Sequence, residues 1–163
     1  PRVAIIPADR TRDAVVGGSS LLENVALHGL SKRRGLMPWP ALHARTRSLV
    51  ERFSIAASSP DAALHTLSGG NQQRLVVARE LEQDVDLVIA DNPTRGLDLR
   101  ATEFVHEQLR RAASRGAAVV VHSSDVDEVL TLAGRVVVVF HGAVQAVPSN
   151  RDAISMAMVG AVA

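Results

Sequence analysis

The chain has no cysteine among its 163 residues, which excludes disulfides, thiolate metal sites and a cysteine nucleophile. It has no tyrosine, one tryptophan and three phenylalanines, so aromatics make up 2%. A core must therefore be built from Val, Leu, Ile and Ala. Charge of one sign is missing too: 18 Lys and Arg stand against 17 Asp and Glu, a formal charge of +1. Nucleic-acid partners call for a clustered positive field, often with stacking aromatics, so none is expected. The basic clusters Lys32-Arg33-Arg34 and Arg110-Arg111 read as solvated faces. His28, His43, His65, His106 and His141 show no metal-ligand spacing, and no zinc site is expected. No stretch approaches the ~20 apolar residues that cross a bilayer. The opening PRVAIIPADR is not a signal peptide, and a start directly on a strand-like run is expected of a piece of a longer chain.

With 47% hydrophobic and 21% charged residues, what remains is an ordinary folded domain. Val3 to Ile6 reads as a buried strand stopped by Pro7. A polar passage over 8–20 precedes a short helix over 21–30, and a basic, proline-containing loop over 31–40 follows. Trp39, between two prolines, reads as a packing residue on that loop. A helix is expected over 41–53. From Leu67 the pattern changes: a Ser-Gly-Gly turn leads into a helix over 72–82, then a strand over 86–91 ending on Asp91. An amphipathic helix over 102–115 stops at Gly116. A strand over 117–121 follows, then a helix capped by Ser123 or Ser124 with Asp125, Asp127 and Glu128 in its first turn. Residues 135–140 and 143–147 read as a hairpin turning at His141-Gly142. Strands so apolar, alternating with helices, predict an α/β fold with a parallel sheet covered on both faces.

Two segments carry chemistry. In Leu67-Ser68-Gly69-Gly70-Asn71-Gln72-Gln73-Arg74, two glycines before a helix let backbone N–H groups approach an anion closely, and the helix start adds partial positive charge. Ser68 has a hydroxyl to donate to the same phosphate. Alone, such a turn also reads as a plain helix entry. About seventeen residues on comes Leu87-Val88-Ile89-Ala90-Asp91-Asn92-Pro93-Thr94-Arg95-Gly96-Leu97-Asp98. There a buried strand presents a carboxylate at its C-terminal edge, where α/β sheets bind ligands. Asp91 is then a candidate for holding magnesium through water, or else a strand-ending carboxylate that caps a turn.

In this order and spacing the two segments resemble the ABC ATPase family over nearly the whole chain. The first is similar to its signature motif, the second to its Walker B strand, and Gly96-Leu97-Asp98 to its D-loop. The LSGGNQQ spelling resembles the tandem ATPases of sugar and nucleoside importers. Pro7-Ala8-Asp9-Arg10 followed by Glu23-Asn24-Val25 looks like a passage of their second domain. Ala78-Arg79-Glu80-Leu81 and Glu103-Phe104-Val105-His106 resemble the nucleoside branch more than the sugar branch.

The resemblance implies a P-loop NTPase-like sheet with an α-helical signature subdomain. On it, about 15–82 is that subdomain, about 83–150 the Walker B and D-loop core with the terminal hairpin, and 151–163 a tail. It implies ATP and Mg2+ as ligands, with Ser68, Gly69, Gly70, Asn71, Gln72 and Asp98 contacting nucleotide and Asp91 on the metal. A second ABC ATPase domain, expected on the same polypeptide, and transmembrane permease subunits are the implied partners, at the cytoplasmic face of the membrane.

Departures from the family are equally informative. The glycine-rich loop ending in Gly-Lys-Ser/Thr is absent from the sequence; in the family it lies upstream of Val3. Asn92 stands where active members carry the glutamate that polarises water, and an amide is no general base. Ser124 stands at the usual switch-histidine place, with His122 two residues earlier and expected to face the same side. No glutamine occupies the Q-loop place near Pro7 and Ala8. No intact catalytic set is therefore expected in this chain's own site, and hydrolysis by the chain alone is not expected. Within the family's logic the signature motif serves a partner's site. The alternatives are a nucleic-acid-handling ABC ATPase, against which the lack of coiled coils and basic linkers speaks, and a non-hydrolytic regulatory module. The tail over 153–159, with Met156 and Met158, reads as a docking edge.

Overall fold

A computed structural model describes residues 2–28 and 35–161. The Lys32-Arg33-Arg34 cluster, the first part of the loop expected around it and the expected end of the first helix lie outside the described residues. The chain forms two compact units, residues 1–120 and 121–163, and the boundary falls inside a strand.

In the first unit, β1 (Val3–Ile6) and β2 (Leu87–Asp91) run parallel, with Val3 opposite Leu87 and Ile6 opposite Ala90. β3 (Ala118–His122) completes the order β1-β2-β3. Between β1 and β2 the chain makes α1 (Arg10–Asp13), α2 (Leu21–Leu27), α3 (Trp39–Arg52), a 3-10 turn (Leu64–Thr66) and α4 (Gly69–Leu81); α5 (Leu99–Ser114) joins β2 to β3.

Local chemistry explains where the helices start. Ser20 and Glu23 form a reciprocal capping box: the Glu23 N–H donates to Ser20 Oγ at 3.1 Å and the Ser20 N–H to Glu23 Oε2 at 2.7 Å. α3 opens at Trp39, two residues before its expected start, because a proline in the first helical turn needs no N–H partner. Trp39 is thus helical rather than on a loop, and half-exposed. A short α1 interrupts the passage expected to be polar loop, because Asp9 Oδ1 accepts from the Thr11 and Arg12 N–H groups. Leu21 and Val25 of α2, Leu49 of α3, Leu64 of the 3-10 turn and Leu75 of α4 are each fully buried in one cluster. Burying side chains of this size stabilises the fold by about 1.5–3 kcal/mol each. Arg74 tightens the same cluster, its guanidinium 4.1 Å from the Phe104 ring centroid and Nη1 donating to the Phe53 carbonyl at 3.1 Å.

Burial alternates along the strands: Ala4, Ile6, Val88 and Ala90 are buried, whereas Val3 (46% exposed), Ile5 (56%), Ile89 (41%) and Val120 (56%) are not. α4 packs against β1 and α5.

In the second unit, β4 (Val136–Phe140) and β5 (Ala143–Val147) form an antiparallel hairpin with Phe140 opposite Ala143. His141 (φ 47°) and Gly142 (φ 81°) are both left-handed, the requirement of a two-residue turn that follows the strands' twist. α7 (Arg151–Met158) covers one face, with Ile154 and Ala157 packed on Val136 and Val138. The tail read as a docking edge is thus a helix seated on its own hairpin, with Met156 and Met158 on its exposed side. α6 (Val126–Leu132) is capped by Asp125, whose carboxylate accepts from the Asp127 and Glu128 N–H groups, not by Ser123 or Ser124. A carboxylate outcompetes a hydroxyl at this end of a helix. Ser123 instead accepts from the Asp125 N–H and donates to Glu128 Oε2 at 2.6 Å.

Candidate functional site

α4 begins at Gly69, three residues before the start expected from its apolar pattern, so both glycines lie in the first turn and Ser68 is the cap. Ser68 Oγ accepts from the Asn71 N–H at 3.4 Å and from Asn71 Nδ2 at 3.0 Å. As an acceptor from both, the hydroxyl keeps its own proton for donation. The N–H groups of a first helical turn have no partner within the helix. A hydroxyl proton, orphan N–H groups and a positive helix end therefore converge where side chains are smallest, as an anion site requires.

The two glycines are constrained differently. A Cβ on Gly69 would collide with the Arg10 guanidinium. Arg10 Nε is buried and has no hydrogen-bond partner. A Cβ on Gly70 would stand 3.1 Å from Ala101 Cβ and 3.9 Å from Asp98 Oδ2. Asp98 caps α5, its Oδ1 accepting from the Ala101 N–H at 2.8 Å. Thus the fold brings Asp98 beside the Ser68–Gly70 turn, although they are far apart in sequence.

Asn71 and Gln72 face other work. Asn71 Oδ1 accepts from the Ala56 N–H at 2.8 Å, and Gln72 Nε2 donates to the Leu67 and Leu64 carbonyls at 3.1 and 3.3 Å. Both hold the shape of the turn. Gln73, not singled out from sequence, is 3% exposed, and its Nε2 donates to the Pro93 carbonyl at 2.7 Å. Its only signal in the sequence is an uncharged amide inside an otherwise apolar helix.

Asp91 ends β2 half-buried. The next residue, Asn92, has φ 41°, a left-handed conformation that costs most residues about 1–2 kcal/mol and Asn less. Asn92 Nδ2 donates to Asp91 Oδ1 at 2.8 Å. Among the described residues no three His, Asp or Glu side chains gather to hold a metal. One carboxylate suits magnesium only when water and nucleotide phosphates supply the other ligands. His122, exposed at the end of β3, and Ser124 lie in the second unit.

Nearby in the first unit, Arg79 of α4 donates to the Ala14 and Asn24 carbonyls, and Glu80 pairs with His28 Nδ1 at 3.1 Å. Burial lowers the pKa of the Arg79 guanidinium, and the Glu80 charge opposes that shift. Asn24 Oδ1 accepts from the Val16 N–H at 2.8 Å while its Nδ2 donates to the Ser20 carbonyl at 2.9 Å. Arg79 and Asn24 thus fix the approach to α2, which makes them structural.

The family model described as "ABC transporter" matches residues 3–95. A nucleoside import ATP-binding protein of Lactococcus lactis subsp. cremoris is 34% identical over 166 residues, covering 97% of this chain and 33% of its own length. A ribose import ATP-binding protein of Burkholderia thailandensis is 36% identical over 149 residues, covering 89% of this chain and 29% of its own. The chain thus spans about a third of the curated relatives it matches. Among solved structures, a dimeric ATP-binding cassette in a post-hydrolysis state with ADP and Pi matches at TM-score 0.65 and 26% identity, over 83% of this chain and 58% of that one. An inward-facing transporter of the metal-chelate type matches at TM-score 0.76 over 98% of this chain and 64% of that one. At 18% identity it bears on the fold alone.

Proposed function

We propose, from the premise that this chain belongs to the ABC transporter family, that it is a segment of the ATP-binding subunit of an importer of nucleosides or simple sugars. The observation that carries the proposal is the capped turn Ser68-Gly69-Gly70, with its hydroxyl proton and first-turn N–H groups beside Asp98. The names of the relatives support the solute class. Ser68, Gly69 and Gly70 close on the terminal phosphate of ATP held by a second ATPase domain, on the same polypeptide in a tandem arrangement. Asp98 sits beside that contact. ATP binding and hydrolysis there drive domain closure, which transmembrane permease subunits convert into transport at the cytoplasmic face of the membrane.

The chain's own site is degenerate in this reading. Asp91 would hold magnesium through water, and the ion would neutralise phosphate charge. Asn92, an amide, takes no proton from water, and Ser124 replaces the switch histidine. The chain by itself carries no complete hydrolytic set.

The test is Ser68→Arg in the complete ATP-binding protein. The longer, charged side chain occupies the anion site, and steady-state ATPase is expected to fall by about 100-fold or more. Unchanged turnover with a folded protein would overturn the proposal.

A further inference from the structure

We infer that Gln73 is a positioning residue that couples the Ser68–Gly70 turn to the Asp91–Asn92 loop. The inference deepens the functional reading above and rests on it. α4 carries the anion-facing turn at its start, and Gln73 lies one turn further along the same helix. Its buried amide reaches across to the Pro93 carbonyl at 2.7 Å. Proline has no N–H, so this carbonyl is the only backbone polar group it offers, and a buried carbonyl needs a partner. Pro93 directly follows Asn92, whose left-handed backbone and amide set the Asp91 carboxylate.

The link is direct. A displacement of α4 when its first turn meets a phosphate pulls on Pro93, and Pro93 is two residues from Asp91. α4 also packs closely on α5 at Gly70, where a Cβ would stand 3.1 Å from Ala101 Cβ. The Gln73 bond ties α4 to the loop, and the Gly70 contact ties the same helix to α5. The turn serves a partner's nucleotide and the loop faces this chain's own, so the bond joins the two nucleotide sites. By linkage the coupling is reciprocal for binding.

A residue that merely satisfied a buried carbonyl would affect stability alone. The coupling role is read with two variants in the complete ATP-binding protein, assaying turnover against ATP concentration between about pH 6 and pH 8. Gln73→Met keeps the volume and loses the donor. It is expected to lower kcat about tenfold at every pH, with KM within about twofold, since the lost interaction acts after binding. Gln73→Glu places a carboxylate against the carbonyl and is expected to match that loss at pH 8. Burial raises the introduced carboxyl's pKa. Towards pH 6 its protonated form donates an O–H to Pro93, and kcat recovers relative to the unmodified protein.

Equal, pH-independent losses in both variants, or wild-type kcat in both, overturn the inference. Ser68→Arg in the same assay separates the two levels. Unaffected turnover there sinks the functional reading; inactive Ser68→Arg with wild-type-like Gln73 variants sinks the coupling alone.

Discussion

Two pieces of this molecule end in small polar residues poised beside a helix: the turn at Ser68–Gly70 and the loop at Asp91–Asn92. The turn is equipped for an anion. Its serine keeps a proton to donate, its glycines carry no side chain, and Arg10 and Ala101 stand close to those glycines. The loop is turned in on itself, because Asn92 directs its amide at Asp91. Chemistry at the first depends on what it can offer a ligand. Chemistry at the second is limited by what its own side chains already bind.

This contrast can be broken at several points. The largest expected effect is at Gly70. Gly70→Val forces a branched side chain into the seam against Ala101 and is expected to lower stability by about 2 kcal/mol, read by urea denaturation. Asp98→Ala removes the cap of α5 and should cost about 1 kcal/mol in the same measurement, along with part of the turnover. Gly69→Ala should separate stability from function. The obstructing atoms are the flexible end of Arg10, and Ala is the better helix former, so stability should stay within about 0.5 kcal/mol. Turnover in the complete protein should nevertheless fall, because a methyl group now stands where the backbone meets the phosphate. A stability loss as large as that of Gly70→Val would mean that Arg10 is fixed in place. The smallest effect is expected at Asn92. Asn92→Glu should leave turnover within about twofold on the proposal that a partner's site carries hydrolysis. A large gain would show that this chain's own site lacks only its base.

Much of this was legible in the residues. Ser-Gly-Gly before a helix and four apolar residues ending on Asp91 mark a helix start and a strand end locally, because capping and strand patterning are properties of a few consecutive residues. The hairpin turn at His141-Gly142 was legible for the same reason. What escaped depended on distant partners. The glycines were read as a turn outside the helix, yet a serine cap admits them to its first turn. Ser123 and Ser124 were read as caps, yet Asp125 one residue on holds the N–H groups more strongly. The tail was read as an edge, yet Ile154 and Ala157 find the hairpin. Gln73 drew no attention, since nothing adjacent to it in sequence explains an amide there.

The sequence by itself determined the family, the α/β character and the order of the motifs, because these follow from residue type and from apolar periods of two and 3.6. Only the tertiary structure decided which motifs meet. Asp98 lies beside Gly70 because α5 packs along α4. Gln73 reaches Pro93 because a buried carbonyl without an N–H beside it must find a donor from elsewhere in the fold.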